Sequence, residues 1–308
     1  MTPMDPAVPV SGHQYTLRAG GYTAVIASVG ASVRRLRFEG RDLIVPYEES
    51  EVRPFFRGAL LAPWPNRVVD ARYTFDGKEN FLAMTEPNRS HALHGLMAWQ
   101  DWLPEEHTES SVRLRAEVVP QDGYPFRLLV QVDYLLDDEG LHTTVTATNT
   151  GPSPAPYGTA PHPYLVGGNG RVDEWTLSLP ADSVLNVTED RLIPTTLDPV
   201  HAAFDFRAPR PVGTTFIDHA FTDLAYDADG RVTVGVTGAD GRGAGITFGR
   251  DCPWVQVHTA DQPDPAVSRI GMAVEPMTCP PDAFNSGTDL VVLTPGGSHE
   301  ARWSIHTL

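Results

Sequence analysis

Apolar side chains in this chain recur at every second position rather than every third or fourth, and that habit limits its fold more than any other feature. From Phe126 to Leu136 the even positions read Phe, Leu, Val, Val, Tyr and Leu, while Arg127, Gln131 and Asp133 stand at odd ones. A strand sends successive side chains to opposite faces, so such a run has one buried face and one wet face. Asp137-Asp138-Glu139-Gly140 then supplies a turn. The next run reverses parity, with Leu141, Val145 and Ala147 set against His142, Thr144, Thr146 and Thr148. The two runs together predict a hairpin buried on one side. Similar short runs occur at Tyr22–Val29, Val112–Val119, Val172–Leu179, Val232–Val236, Gly245–Phe248, Trp254–His258, Leu290–Leu293 and Ala301–His306. No segment keeps an i, i+3, i+4, i+7 pattern for three turns, which excludes folds that need a helix between parallel strands. The expected class is all-β, a large antiparallel β-sandwich.

Composition narrows the reading further. The 27 glycines and 28 prolines supply the many turns such a fold needs, and 41% apolar residues is too many for a disordered chain. A chain of 308 residues buries about three-quarters of its unfolded surface, so it requires no disulfide or structural metal. Cys252 and Cys279 therefore read as small apolar residues. With 23 basic and 39 acidic residues the formal charge is −16, which argues against nucleic acid and anionic membrane as partners. The start, MTPMDPAVPVSGHQYTL, has no basic region leading into an apolar run, and no stretch of 18 apolar residues occurs anywhere. A cytoplasmic protein is expected. There is no internal repeat and no convincing linker; Pro152–Pro156 reads as a loop, and residues 1–308 as a single domain.

Three regions concentrate polar chemistry. The first, Arg57–Trp102, contains Asn66-Arg67 after Pro-Trp-Pro, and His94-Gly95. His91 and His94 are three apart, which raises a metal reading, though a turn-rich segment gives that spacing little weight. The second places His162 between Pro161 and Pro163, followed by Tyr164; the prolines stiffen the backbone and suit an imidazole that must be aimed. The third is Trp254-Val-Gln256-Val-His258 with Met272-Ala-Val-Glu275-Pro276. By parity Trp254, Gln256 and His258 share one face. Glu275 is either at a strand end in solvent or desolvated, and desolvation would raise its pKa into the range of a general base.

These pieces, with Asp218-His219-Ala-Phe221 and Pro281-Asp282-Ala283, resemble the aldose 1-epimerases, the galactose mutarotase family, in order and spacing from about residue 20 to the C-terminus. The resemblance implies a β-supersandwich with an open sugar cleft and no cofactor or metal. It also implies that Glu275 takes the proton from the anomeric hydroxyl and that His162 protonates the ring oxygen. Arg67, His94 and Asp218 look like residues that orient the sugar hydroxyls, with Asn66 beside Arg67 and Gln256 at a further contact. The expected partner is a small sugar, and the expected activity is interconversion of α and β anomers of a free aldose such as glucose or galactose. Trp64-Pro65 before Asn66, and the stretch Leu93–Trp102, depart from typical galactose mutarotases and look more like a bacterial side branch. That bears on which sugar is taken. The alternatives are an epimerase for a phosphorylated or otherwise acidic hexose, with Arg57, Arg72 or Arg89 reaching the cleft, and a non-catalytic carbohydrate-binding module.

Overall fold

The computed structural model describes residues 7–308; residues 1–6, part of the start read above as lacking a leader, lie outside the described residues. The expected hairpin forms between Leu128–Leu136 and Leu141–Asn149, with Leu136 opposite Leu141 and Val132 opposite Val145, so both apolar sets meet on one face. It is part of a nine-stranded sheet. Ser111–Val118 and Leu103–His107 extend it on one side; Ser298–Thr307, Gly243–Phe248, Val232–Thr237, Thr176–Leu179 and Phe206–Pro211 extend it on the other. A six-stranded sheet runs in the order Tyr164–Leu165, Met272–Met277, Trp254–His258, Asp218–Leu224, Ala181–Val187 and Pro194–Pro199. Gln14–Ala19, Tyr22–Ala27, Ser32–Phe38 and Arg41–Asp42 form a four-stranded sheet. Every pairing in these three sheets is antiparallel.

The inward faces merge into one core. Val132, Val145 and Ile305 of the large sheet, Val255, Val257 and Val274 of the six-stranded sheet, and Leu17, Ile26 and Leu36 of the four-stranded sheet belong to one cluster of buried side chains. This burial decides where the polar residues go. A one-residue slip of Trp254–His258 that exposed Val255 and Val257 would forfeit about 3–6 kcal/mol of apolar burial. That is comparable with the net stability of a whole domain, about 5–15 kcal/mol. Core packing thus fixes Gln256 and His258 on the opposite face. Two smaller apolar clusters cover that face, one including Trp254, Met277 and Ala220 and the other Tyr164 and Ala273. Along the strands, Gln256 and Glu275 lie between them.

Several elements differ from the sequence reading: Gln14–Ala19, Leu103–His107, Ala181–Val187, Pro194–Pro199, Phe206–Pro211 and Asp218–Leu224 are strands outside the apolar runs, and two further cases have a clear local cause. The run Val172–Leu179 is a 3-10 turn at Val172–Glu174 and a strand only at Thr176–Leu179, because the Glu174 carboxylate accepts the Arg171 backbone N–H at 3.3 Å and closes the turn. Ser32–Phe38, SVRRLRF, escapes detection because Arg34 interrupts its apolar pattern. Arg34 is buried, and its guanidinium donates to the Tyr47 carbonyl at 2.8 Å and to Gln14 Oε1 at 2.7 Å. Among the described residues, Ala283–Ser286 is the only α-helix, and no helix is long and apolar enough to cross a membrane.

Candidate active site

The floor of the site is the middle of the six-stranded sheet. Gln256 pairs directly with Glu275, and Ala220 pairs with Gln256 on its other side, so these three residues form one row across the strands. The next row is Tyr164, Ala273, His258 and Asp218. Directly paired residues share a face, which brings Glu275, Gln256, His258 and Asp218 together. The Gln256 side-chain amide donates to Asp218 Oδ1 at 2.7 Å, and His258 Nδ1 lies 3.9 Å from Asp218 Oδ2. Glu275 is not at a solvated strand end; it is only 2% exposed.

His162 hangs over this floor from a clamped backbone. Its N–H donates to the Ala59 carbonyl at 3.0 Å and its carbonyl accepts from Gly58 N–H at 2.8 Å, while Pro161 and Pro163 on either side restrict rotation. The ring stacks on Tyr164 with centroids 5.2 Å apart and meets His94 edge-on at 4.9 Å. This aims Nε2 at Glu275 Oε1, 3.5 Å away.

A two-stranded pairing of Arg67–Val69 with His91–Leu93 builds the third wall. Asn66 and His94, at its end, both have left-handed backbones (φ 52° and 62°), and the His94 N–H donates to the Asn66 carbonyl at 2.8 Å. Gly95 follows at φ +72°, where a Cβ would stand 2.1 Å from the Ala62 carbonyl oxygen, so only glycine lets the chain turn there. Arg67 is held side-on by Glu86, with Nε to Oε2 at 2.8 Å and Nη2 to Oε1 at 3.1 Å. His91, the other half of the HxxH spacing, does not join His94. Its Nε2 lies 2.9 Å from the Arg191 carbonyl and its Nδ1 accepts the Asp70 N–H at 3.3 Å, so both nitrogens serve the backbone.

The walls enclose a cleft of about 470 Å³, lined by all seven residues singled out from the sequence: Asn66, Arg67, His94, His162, Asp218, Gln256 and Glu275. Burial pushes the Glu275 carboxyl well above the usual carboxylate range; the nearby Asp218 adds to this and Arg67 opposes it. Burial first, and His258 second, lower His162 to about 3. His94 is likewise held well below the ordinary histidine range, mainly by burial. Asp218 goes the other way: against the effect of burial, His258, Arg67 and the Gln256 amide keep it below the ordinary value. Burial thus favours the uncharged form of both facing groups, a protonated Glu275 and a neutral His162, with one proton on the pair. Two buried polar atoms of this pair, Glu275 Oε2 and His162 Nδ1, have no partner within the protein.

Other cleft residues carry no spacing signal. Glu86 meets Arg67 across 19 positions, and Phe56, Phe216 and Asp261 arrive from separate turns and loops. Of the three arginines considered from the sequence, only Arg89 lines the cleft. His258 lines it too, whereas His219 packs on Phe204 with ring centroids 4.6 Å apart. Trp64 and Trp254 belong to the core: Trp64 packs on Tyr124 and Phe284, and Trp254 donates to Asp289 at 2.7 Å.

Comparison with known proteins bears on the family and the fold. A family model described as aldose 1-epimerase matches residues 13–306. The uncharacterised Escherichia coli protein YihR is 38% identical over 96% of this chain and 94% of its own length. Mouse galactose mutarotase is 30% identical over 67% of this chain and 64% of its own length. Among solved structures, an aldose epimerase homologue from Caenorhabditis elegans superposes with a TM-score of 0.85 at 21% identity, covering 96% of this chain and 98% of that one. A putative aldose 1-epimerase from E. coli gives 0.83 at 22% identity, covering 96% and 99%. At that identity these two structures speak to the fold alone.

Proposed function

The chain belongs to the aldose 1-epimerase family, and on that premise we propose that it interconverts the α and β anomers of a free aldose by acid–base ring opening. One observation carries the reading: a buried carboxyl and a buried imidazole 3.5 Å apart, Glu275 and His162, at one cleft with polar groups suited to sugar hydroxyls. Ring opening requires loss of the O1–H proton and gain of a proton on the ring oxygen. As carboxylate, Glu275 takes the O1 proton; the O1 electrons form the C1=O1 bond, the C1–O5 bond breaks, and its electrons take a proton from the His162 imidazolium at O5. Rotation about C1–C2 presents the other carbonyl face, and reclosure with roles reversed restores both groups. The single proton on the pair fits this cycle. Protonated Glu275 with neutral His162 is the state left after ring opening, and transfer of that proton across the pair gives the carboxylate and imidazolium with which the cycle starts.

Each positioned proton transfer contributes about 10²–10⁴-fold, which suffices for a reaction that already proceeds in water, so the reading needs no cofactor. Arg67, His94, Asn66, Asp218 and Gln256 orient the hydroxyls. Arg89 on the cleft wall favours a second reading, a hexose bearing an anionic group. Polarimetry of freshly dissolved α-D-glucose, α-D-galactose and glucose 6-phosphate, in buffer with a chelator, tests both. Faster approach to the same final rotation with a neutral sugar supports the first reading. Acceleration with the phosphate ester alone supports the second. Sugar binding with no acceleration would leave only a binding module.

A further inference from the structure

We infer that Glu86 is the positioning residue of the sugar-binding arginine, holding Arg67 so that its remaining donors meet the sugar hydroxyls. The inference rests on the reading of the cleft as an aldose site. A guanidinium carries five N–H donors. In Arg67, Nε and Nη2 are committed to the two Glu86 oxygens at 2.8 and 3.1 Å, and Nη1 reaches Asn66 Oδ1 at 3.3 Å. Two N–H groups are left on a side chain that lines the cleft. The side-on fork fixes the guanidinium plane, and so fixes the direction of those two donors.

Glu86 is itself anchored from behind. Its backbone pairs reciprocally with His91, with N···O distances of 3.0 and 3.2 Å. Arg89 Nη1 donates to its Oε1 at 2.8 Å, and the Arg89 carbonyl takes Arg191 Nε at 2.9 Å. His91, whose spacing with His94 suggested a metal, thus helps hold the carboxylate that aims Arg67. Asp218 and Glu275 are the other carboxyls acting on Arg67. Without Glu86 the guanidinium would be drawn toward Asp218, the carboxyl of the two that is held below its ordinary value, and away from the hydroxyls.

A double-mutant cycle on kcat/KM tests this, with wild type, Glu86→Gln, Arg67→Met and the double variant assayed by polarimetry on α-D-glucose and α-D-galactose. Glu86→Gln should lower kcat/KM on the order of tenfold, chiefly by raising KM. The double variant should be no worse than Arg67→Met alone, because Glu86 acts only through Arg67. Losses that multiply in the double variant, or an unchanged Glu86→Gln enzyme beside an active wild type, overturn the inference and leave the aldose reading intact. A folded wild type that accelerates neither sugar overturns that reading and this inference with it. If Glu86→Gln does not fold, Glu86→Asp carries the same cycle: it keeps the charge between Arg67 and Arg89 but is one methylene too short to hold both.

Discussion

Replacing Glu275 by glutamine should make the protein more stable at neutral pH while removing its proposed activity. Burial and Asp218 hold the folded carboxyl well above its ordinary value of 4.5, so the folded protein keeps a proton that the unfolded chain releases above that pH. The stability contributed by this group is complete below about pH 4.5 and is lost as pH rises, until the folded carboxyl itself ionises. One proton costs about 1.4 kcal/mol per pH unit. Glutamine has the shape of the protonated carboxyl and does not titrate. Over the pH range in which the folded carboxyl still holds its proton, the wild type should therefore fall steadily in stability relative to Glu275→Gln, by about 1.4 kcal/mol per pH unit. Urea unfolding of both proteins at half-unit pH steps measures this gap directly. His162 enters both curves alike: lowered to about 3, its contribution is full above the ordinary histidine value and is lost as pH falls toward 3. A gap between the two proteins that stays constant across pH would mean that Glu275 is ionised when folded, and would refute the burial argument.

Three other outcomes are expected. Glu275→Gln and His162→Ala should each abolish accelerated mutarotation with unchanged circular dichroism; a fully active variant of either sort removes the acid–base assignment. The rate above background should be level between the lowered value of His162, about 3, and the raised value of Glu275, because the pair keeps one proton across that range. It should then fall as Glu275 ionises, so a rate that climbs steadily from pH 4 to 10 contradicts the pairing. Gly95→Ala, which places a methyl 2.1 Å from the Ala62 carbonyl oxygen at φ +72°, should cost more than about 1 kcal/mol and raise KM by displacing His94; a thermal melt and a KM measurement check both.

Parity made the strands legible, and with them the face on which Gln256, His258 and Glu275 stand. It left the surroundings of Glu275 open, since alternation says which residues share a face but not what covers it. What faces it comes from a distant segment: the His162 imidazole, 3.5 Å from Glu275, is held by backbone bonds to Ala59 and Gly58. The seven motif residues converge on one cleft because the motifs are short and rigid: two prolines around His162, left-handed turns at Asn66 and His94. Glu86 had no such marker. Its partner lies 19 positions away on the strand Arg67–Val69, and only the folded chain makes them adjacent. The HxxH spacing carried little weight for the opposite reason, since His91 and His94 are neighbours in sequence whose rings serve different purposes.

Glu275, Gln256, His258 and Asp218 all stand on hydrogen-bonded strands of one sheet. Arg89, Phe216, Asp261 and Gln262 reach the same cleft from loops and turns. On the proposed reading, the sheet holds the carboxyl that takes the proton, while part of the wall that meets the sugar comes from loops. Substitutions in the loops change the cleft wall while the strand register, bound to the core by Val255, Val257 and Val274, keeps Glu275 in place; His162 is held separately, by its backbone bonds to Ala59 and Gly58. A lineage built on this scaffold is free to diverge in what it recognises without reinventing how it reacts.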